Sequence, residues 1–298
     1  MTTIILSILL IICVKIFLSE PIKNVELKNE FWIKKTHQKA KFNIVVGGDS
    51  RIYRGISIDK LEESLSQNLS GVNLGYSSIG FSGEYLDFML SKLDLNSETK
   101  IMVLGITPHS LTENAAKNEA YHQYNDINWD ERYKVLYLSK YTKHFAPYKP
   151  WELTHSIAKE KTTIGYFEDF TSSGWVASYK IPIDTSEAIA SYTKTLNKHK
   201  ISQEVIDELF LKIKEFEKSG ITIIGFRVPS TNQMEQLEES LSSFNEEYLK
   251  DEFERVGAFW FEFSNSDFNS YDGSHLHYLS AEKLSEKLGE KISEINLQ

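Results

Sequence analysis

The sequence predicts an α/β domain built as a three-layer α/β/α sandwich around a central parallel sheet. Three observations carry that expectation. Short β-branched or aliphatic runs alternate with segments of helical apolar spacing, the pattern of parallel strands joined by crossover helices. The first such run is stopped at once by Gly47-Gly48, a buried-strand signal followed by a turn. The chain is 41% hydrophobic, 25% charged and 12% aromatic, a balance that supplies a large core and argues against disorder.

At the N-terminus, Thr2 to Leu18 is nearly all apolar, interrupted by Ser7 and Lys15. About 17 residues is the lower limit for a membrane-spanning helix, and Lys15 can snorkel to the interface. A cleaved signal peptide is the rival reading. It calls for a basic start and a small-x-small cleavage site, and Phe17-Leu18-Ser19-Glu20 gives neither clearly. An N-terminal membrane-anchor helix over residues 1–19 is therefore expected. Cys13, the only cysteine, lies inside it, so an intrachain disulfide or thiolate metal cluster is excluded. The preceding Leu10-Ile11-Ile12 lacks the small residue found before a lipid-modified cysteine. Lys15, Lys23, Lys28, Lys34 and Lys35 all follow the span, which by charge alone favours a cytoplasmic main domain.

Residues 20–40 are polar and of mixed charge, and read as a stalk or a first amphipathic element. The domain proper is expected over 41–298. Phe42 to Val46 is its first strand, and a helix follows near Ile58 to Gln67. Val72 to Leu74 is a second strand, Glu84 to Leu93 a helix, and Lys100 to Ile106 a third strand. After the middle of the chain, Gln203 to Lys218 is a helix ended by Gly220, and Ile221 to Phe226 a strand. One long acidic helix is expected from Met234 to Val256, then a strand from Ala258 to Phe263 and a last helix from Ala281 to Ile295. Between about 107 and 200 the rhythm is lost. That stretch is rich in aromatics, among them Tyr121, Tyr124, Trp129, Trp151 and Trp175, and reads as a partly helical insertion.

Two short motifs bear on chemistry. Gly48-Asp49-Ser50 follows the first strand directly, and ligands of parallel α/β sheets bind beyond the carboxyl ends of the strands. Alone, the tripeptide is an ordinary strand-to-helix turn in which Asp49 or Ser50 caps the next helix. Asp272-Gly273-Ser274-His275 lies between the last strand and the last helix. A serine nucleophile needs a base, and the base needs an orienting carboxylate on its other ring nitrogen. Alone, Asp272 to His275 is also an acidic surface loop that happens to hold a histidine.

Together, Gly48-Asp49-Ser50 and Asp272 to His275, with alternating β/α structure between, resemble the first and last blocks of the SGNH, or GDSL-like, hydrolase superfamily. The resemblance spans roughly residues 42–297 apart from the insertion. It implies an SGNH, flavodoxin-like sheet and a catalytic triad of Ser50, Asp272 and His275. Asn73-Leu74-Gly75-Tyr76-Ser77-Ser78-Ile79-Gly80 resembles the family's glycine block, and Gly80 is the expected oxyanion-hole donor. The third block is usually Gly-x-Asn-Asp, whereas here it reads Gly105-Ile106-Thr107-Pro108, without the Asn. Losing one oxyanion donor costs on the order of 100-fold in rate unless another group replaces it. Asn114 and Asn118 are candidates for that, with helix capping as the alternative for both.

The divergent third block, the anchor and the insertion are similar to SGNH proteins that modify cell-envelope polymers, such as the alginate O-acetylation and teichoic-acid D-alanylation proteins. This implies an extracytoplasmic domain, against the lysine pattern. It also implies a membrane-bound O-acyltransferase as partner, and an acylated or acceptor carbohydrate as substrate. Arg227, at the end of a strand, is an expected substrate-binding residue that holds a carboxylate or polarises a carbonyl; an ordinary salt bridge is its alternative. Gly174-Trp175 reads as a sugar platform or as core packing. The formal net charge of −9 argues against a nucleic-acid partner. No metal-ligand spacing, phosphate loop or dinucleotide fingerprint is present, so no cofactor is expected. An envelope-binding scaffold of the same fold with little activity is the alternative to an enzyme.

Overall fold

The structure is a computed structural model that describes residues 2–3, 5–7, 9–10, 24–118, 120–139 and 165–295. The chain divides into two units, residues 1–37 with 123–163, and residues 38–122 with 164–298. In the first, the described part of the expected stalk is a helix, Asn24–His37. Trp32 of that helix stacks on Tyr124 at 5.7 Å, and His37 Nε2 meets the Tyr124 carbonyl at 2.7 Å. Most of the expected anchor, with Cys13 and Lys15, lies outside the described residues, as does Trp151. Among the described residues, no helix is long and apolar enough to cross a membrane.

The second unit holds the sheet. Its strands are β1 (Ile44–Gly48), β2 (Gly71–Asn73), β3 (Ile101–Ile106), β4 (Gly165–Phe170), β5 (Val176–Ile181), β6 (Thr222–Arg227) and β7 (Phe259–Phe261). Five of them form one parallel sheet in the order β2-β1-β3-β6-β7. Its longer helices are α1 (Ser50–Gly55), α2 (Ile58–Ser64), α3 (Gly83–Leu90), α4 (Ser186–Lys198), α5 (Gln203–Lys218), α6 (Asn232–Ser242), α7 (Glu246–Arg255) and α8 (Tyr278–Glu294).

Side chains of successive strand residues point to opposite faces, so two layers of helices cover the sheet. On one face, Ile44, Val46, Ile101, Val103, Ile224 and Phe226 share a core with Ile52, Ile58, Leu61, Leu284 and Leu288 of α1, α2 and α8. On the other, a Cβ at Gly47 would strike Met89 of α3, and one at Gly225 would strike Phe253 of α7. The inner strands β1 and β3 are buried on both faces, which is why they read as continuous apolar runs.

Gly48 and Gly105 face each other in register at the carboxyl ends of β1 and β3. Both leave room for Ile52: a Cβ at Gly105 would come within 2.0 Å of its Cδ1 and one at Gly48 within 2.7 Å of its Cγ1. Gly48 also has a φ of +145°, a conformation that costs little only for glycine. The first turn of α1 can therefore sit directly over the sheet end.

Two expectations need correction. The single acidic helix over 234–256 is two helices, α6 and α7. Ser243 turns left-handed with φ 61°, and the Asn245 side chain caps α7 by accepting from the Tyr248 amide. The insertion is not merely a helical interruption, because β4 and β5 pair as an antiparallel hairpin. Its turn is held at the edge of the main sheet, where the Asn73 amide donates to the Ser173 carbonyl at 2.9 Å.

Candidate active site

The end of β1 separates the two readings of Gly48-Asp49-Ser50 by residue. Asp49, 1% exposed, takes the capping role: its Oδ1 accepts from the Arg51 amide at 2.9 Å. Its Oδ2 accepts from the Thr107 hydroxyl at 2.6 Å, which ties the β1 and β3 loops together. Ser50 is the first residue of α1 and is half-buried. Its hydroxyl is left for another partner.

That partner comes from the loop before α8. Gly273, with φ +92°, lets the chain turn so that Asp272 folds back on Ser274 and His275. Asp272 Oδ1 accepts from the amides of Ser274 at 2.9 Å and His275 at 2.7 Å. The Ser270 hydroxyl donates to the His275 carbonyl at 2.6 Å and accepts from the Gly273 amide at 2.8 Å, so the loop is internally braced. This leaves Asp272 Oδ2 at 2.7 Å from His275 Nδ1, and His275 Nε2 at 2.8 Å from Ser50 Oγ. The structure thus joins Ser50, His275 and Asp272, expected from two motifs far apart in sequence, into one hydrogen-bonded chain.

The electrostatics suit a base. Burial would raise the Asp272 carboxyl, but bonds from the His275 ring and from two amides outweigh it and hold the group at about 2. For His275, burial and then the nearby Arg54 charge push the imidazole below its ordinary value, with Asp272 opposing them. Near neutral pH the pair is therefore a carboxylate beside a neutral imidazole. A general base works in its neutral form, so any acyl transfer at Ser50 is expected to rise with pH and level off. The acid limb of kcat/KM should be centred below 6.5, the ordinary imidazole value. A pH profile of p-nitrophenyl acetate hydrolysis checks this, and a midpoint above 6.5 would contradict the depressed imidazole.

The hairpin builds the wall beside the histidine. Tyr271 stacks on the His275 ring with centroids 5.9 Å apart and planes 13° apart, and Tyr166 of β4 packs on Tyr271 at 5.8 Å. Arg54 lies over Tyr166 and pairs with Glu168 of the same strand at 3.5 Å. Trp175 donates its indole N–H to the Arg54 carbonyl at 2.9 Å and is 6% exposed, so Gly174-Trp175 is packing and not a sugar platform.

Three other expected residues sit differently. The Gly80 amide donates to the Ala115 carbonyl at 2.7 Å, and a Cβ there would strike the 115–116 backbone. Gly80 is thus a close-packing residue, and its N–H is not free for an oxyanion. Arg227 is 9% exposed, and its guanidinium is surrounded by Glu235, Glu238, Glu239 and Glu246 at 2.8 to 3.6 Å. The salt-bridge alternative holds for it, and no substrate group is needed to satisfy its charge. Asn118 does not reach in as a donor through a free amide: its Nδ2 donates to the carbonyls of Ser78 at 2.7 Å and Ser77 at 3.3 Å. Asn114 is exposed on a single helical turn.

Sequence reasoning also missed Tyr85. Its hydroxyl accepts from the Gly48 amide at 3.0 Å and donates to the Leu74 carbonyl at 2.9 Å, bracing the ends of β1 and β2. An aromatic within a helical apolar stripe gives no sign of such a role. The sequence matches no protein-family model and no curated protein.

Proposed function

We propose that the chain is an SGNH-type serine esterase or O-acyltransferase with a flavodoxin-like sheet order, acting on a cell-envelope polysaccharide through an acyl-Ser50 intermediate. The observation that carries this reading is the unbroken chain Asp272–His275–Ser50, with contacts of 2.7 and 2.8 Å. Ser50 Oγ attacks the ester carbonyl while His275 Nε2 takes its proton. His275 then gives that proton to the departing alcohol as the tetrahedral intermediate collapses to the acyl-enzyme. In the second half, water or a sugar hydroxyl loses its proton to His275 and attacks the acyl carbonyl, and Ser50 recovers the proton. Asp272 holds the imidazole tautomer throughout.

The developing oxyanion needs donors. The Ser50 amide heads α1 and has no acceptor among the described residues. The amides of Ser77 and Ser78 have none either, and their loop is tied to the nucleophile turn by the Tyr76 amide on the Gly48 carbonyl at 3.1 Å. These amides take the part expected of Gly80, with Asn118 bracing their carbonyls. In this reading the apolar N-terminal segment anchors the chain, the site faces away from the cytoplasm, and a membrane-bound O-acyltransferase supplies the acyl group.

One observation favours a second reading, an SGNH-fold envelope-binding scaffold with little activity. Thr107 stands where the family's Asn would, and its hydroxyl donates to Asp49 and not toward the reacting centre. The full chain in detergent, treated with a fluorophosphonate probe and with p-nitrophenyl acetate, separates the two. The enzyme reading expects an adduct on the Ser50 peptide and acetate release, both lost in Ser50→Ala. No adduct and no release by the wild type would leave the scaffold reading. Adding candidate acceptor glycans to the active protein then distinguishes transfer from hydrolysis.

A further inference from the structure

The residues next to the nucleophile and next to the histidine are themselves paired. Ser50 Oγ meets His275 Nε2 at 2.8 Å, and one residue along each segment Arg51 Nε donates to Ser274 Oγ at 3.0 Å. The pairs 50–275 and 51–274 are two successive rungs between the start of α1 and the loop before α8. The second rung is sealed from water, with Arg51 1% and Ser274 0% exposed.

The rest of the guanidinium is equally committed. Nη2 donates to Glu238 Oε1, and Nη1 lies 3.5 Å from Glu238 Oε2, so α6 is tied in as well. Tyr192 of α4 covers the cation at 5.0 Å. Glu238 is 0% exposed and is also approached by Arg227 of β6 at 3.6 Å, so one carboxylate lies between two cations.

A buried ion pair of this kind is a poor stabiliser, because desolvating both charges offsets most of their attraction, and an apolar pair of similar volume often serves as well. It does supply fixed directions. The planar fork of arginine sets three donor axes at once, which neither lysine nor an apolar side chain reproduces. Proton transfer from Ser50 to His275 is sensitive to small displacements, and the 51–274 rung fixes the spacing of the two segments that carry it.

We propose that Arg51, held by Glu238, is a positioning residue that locks the nucleophile helix to the histidine loop, and that acyl transfer at Ser50 depends on this lock. The proposal rests on the reading of Ser50 and His275 as the catalytic pair. Arg51 acts through Ser274 and α1 and touches no reacting atom.

Three variants of the full chain test it. The double substitution Arg51→Met with Glu238→Leu removes both charges together and keeps the volume filled. It is expected to melt within about 5 °C of the wild type. Its kcat for p-nitrophenyl acetate should fall by about 100-fold while KM changes little, and fluorophosphonate labelling should slow in parallel. Arg51→Lys keeps the charge without the fork, and its kcat should stay at least about 10-fold low. Ser274→Ala removes the rung, together with the Ser274 bond to the Tyr192 hydroxyl, and leaves the ion pair intact; it should cost about 10-fold in kcat even if the double variant does not fold. Wild-type kcat in Ser274→Ala, or in a well-folded double variant, would overturn the proposal, as would full rescue by Lys. Those outcomes leave the catalytic reading standing. A wild type that is never labelled removes that reading, and the lock with it.

Discussion

Ser50→Ala and His275→Ala are each expected to lower kcat by about 10⁶, and the double substitution by no more than either alone. The reason is the single contact between them. Among the described residues the Ser50 hydroxyl has no base other than His275 Nε2 at 2.8 Å, and the imidazole has no nucleophile to serve once the hydroxyl is gone. Either loss leaves only whatever the free amides around Ser50 contribute to binding a developing oxyanion. The structural cost of Ser50→Ala is small, because Asp49 and not Ser50 caps α1. Steady-state kcat with p-nitrophenyl acetate, beside melting curves to show intact folding, measures the effect. If the two losses multiplied in the double variant, the residues would not be working as a unit.

What the sequence revealed divides by how local the cause is. The parallel strands were legible because burial on both faces leaves uninterrupted runs such as Ile101 to Ile106. Asp272 and His275 were legible because one tight loop builds their geometry, with Gly273 making the turn and Asp272 accepting from the amides of Ser274 and His275. The break between α6 and α7 also had a local cause. Asn245 before Glu246-Glu247 is an N-cap signal, and the acidic helical pattern on both sides obscured it.

The rest depended on partners far along the chain. Arg51 looks like any basic residue in a short helix, and only its meeting with Glu238, 187 positions away, makes it a buried ion pair. Gly80 looked like an oxyanion donor until the Ala115 carbonyl, brought in by the turn after β3, took its amide. The hairpin β4–β5 was hidden because its strands are short and partly exposed, with Glu168 and Asp169 interrupting the aromatics of β4. No period of two stands out from such a stretch. Its consequence for the site is direct, since Tyr166 and Glu168 set the surroundings of Arg54 and Tyr271, and through them of His275.

Asp272→Asn should lower kcat at neutral pH by about 10⁴ with the loop still folded. An Asn side chain can keep a carbonyl oxygen where Oδ1 accepts the Ser274 and His275 amides at 2.9 and 2.7 Å, so the turn survives. Its NH₂ then faces His275 Nδ1, where Oδ2 stood at 2.7 Å. A donor in that place forces Nδ1 to accept, which moves the ring proton to Nε2. The nitrogen that should take the Ser50 proton already carries one. The substitution therefore places every heavy atom correctly and the proton wrongly, and this separates tautomer control from mere packing. Asp272→Ala leaves both amides without their acceptor as well, so it should lose stability that Asp272→Asn keeps. Comparing kcat and melting temperature for the two variants tests the point. An Asn variant that kept wild-type kcat would mean that Asp272 does no more than brace its loop, and that His275 keeps its tautomer by other means.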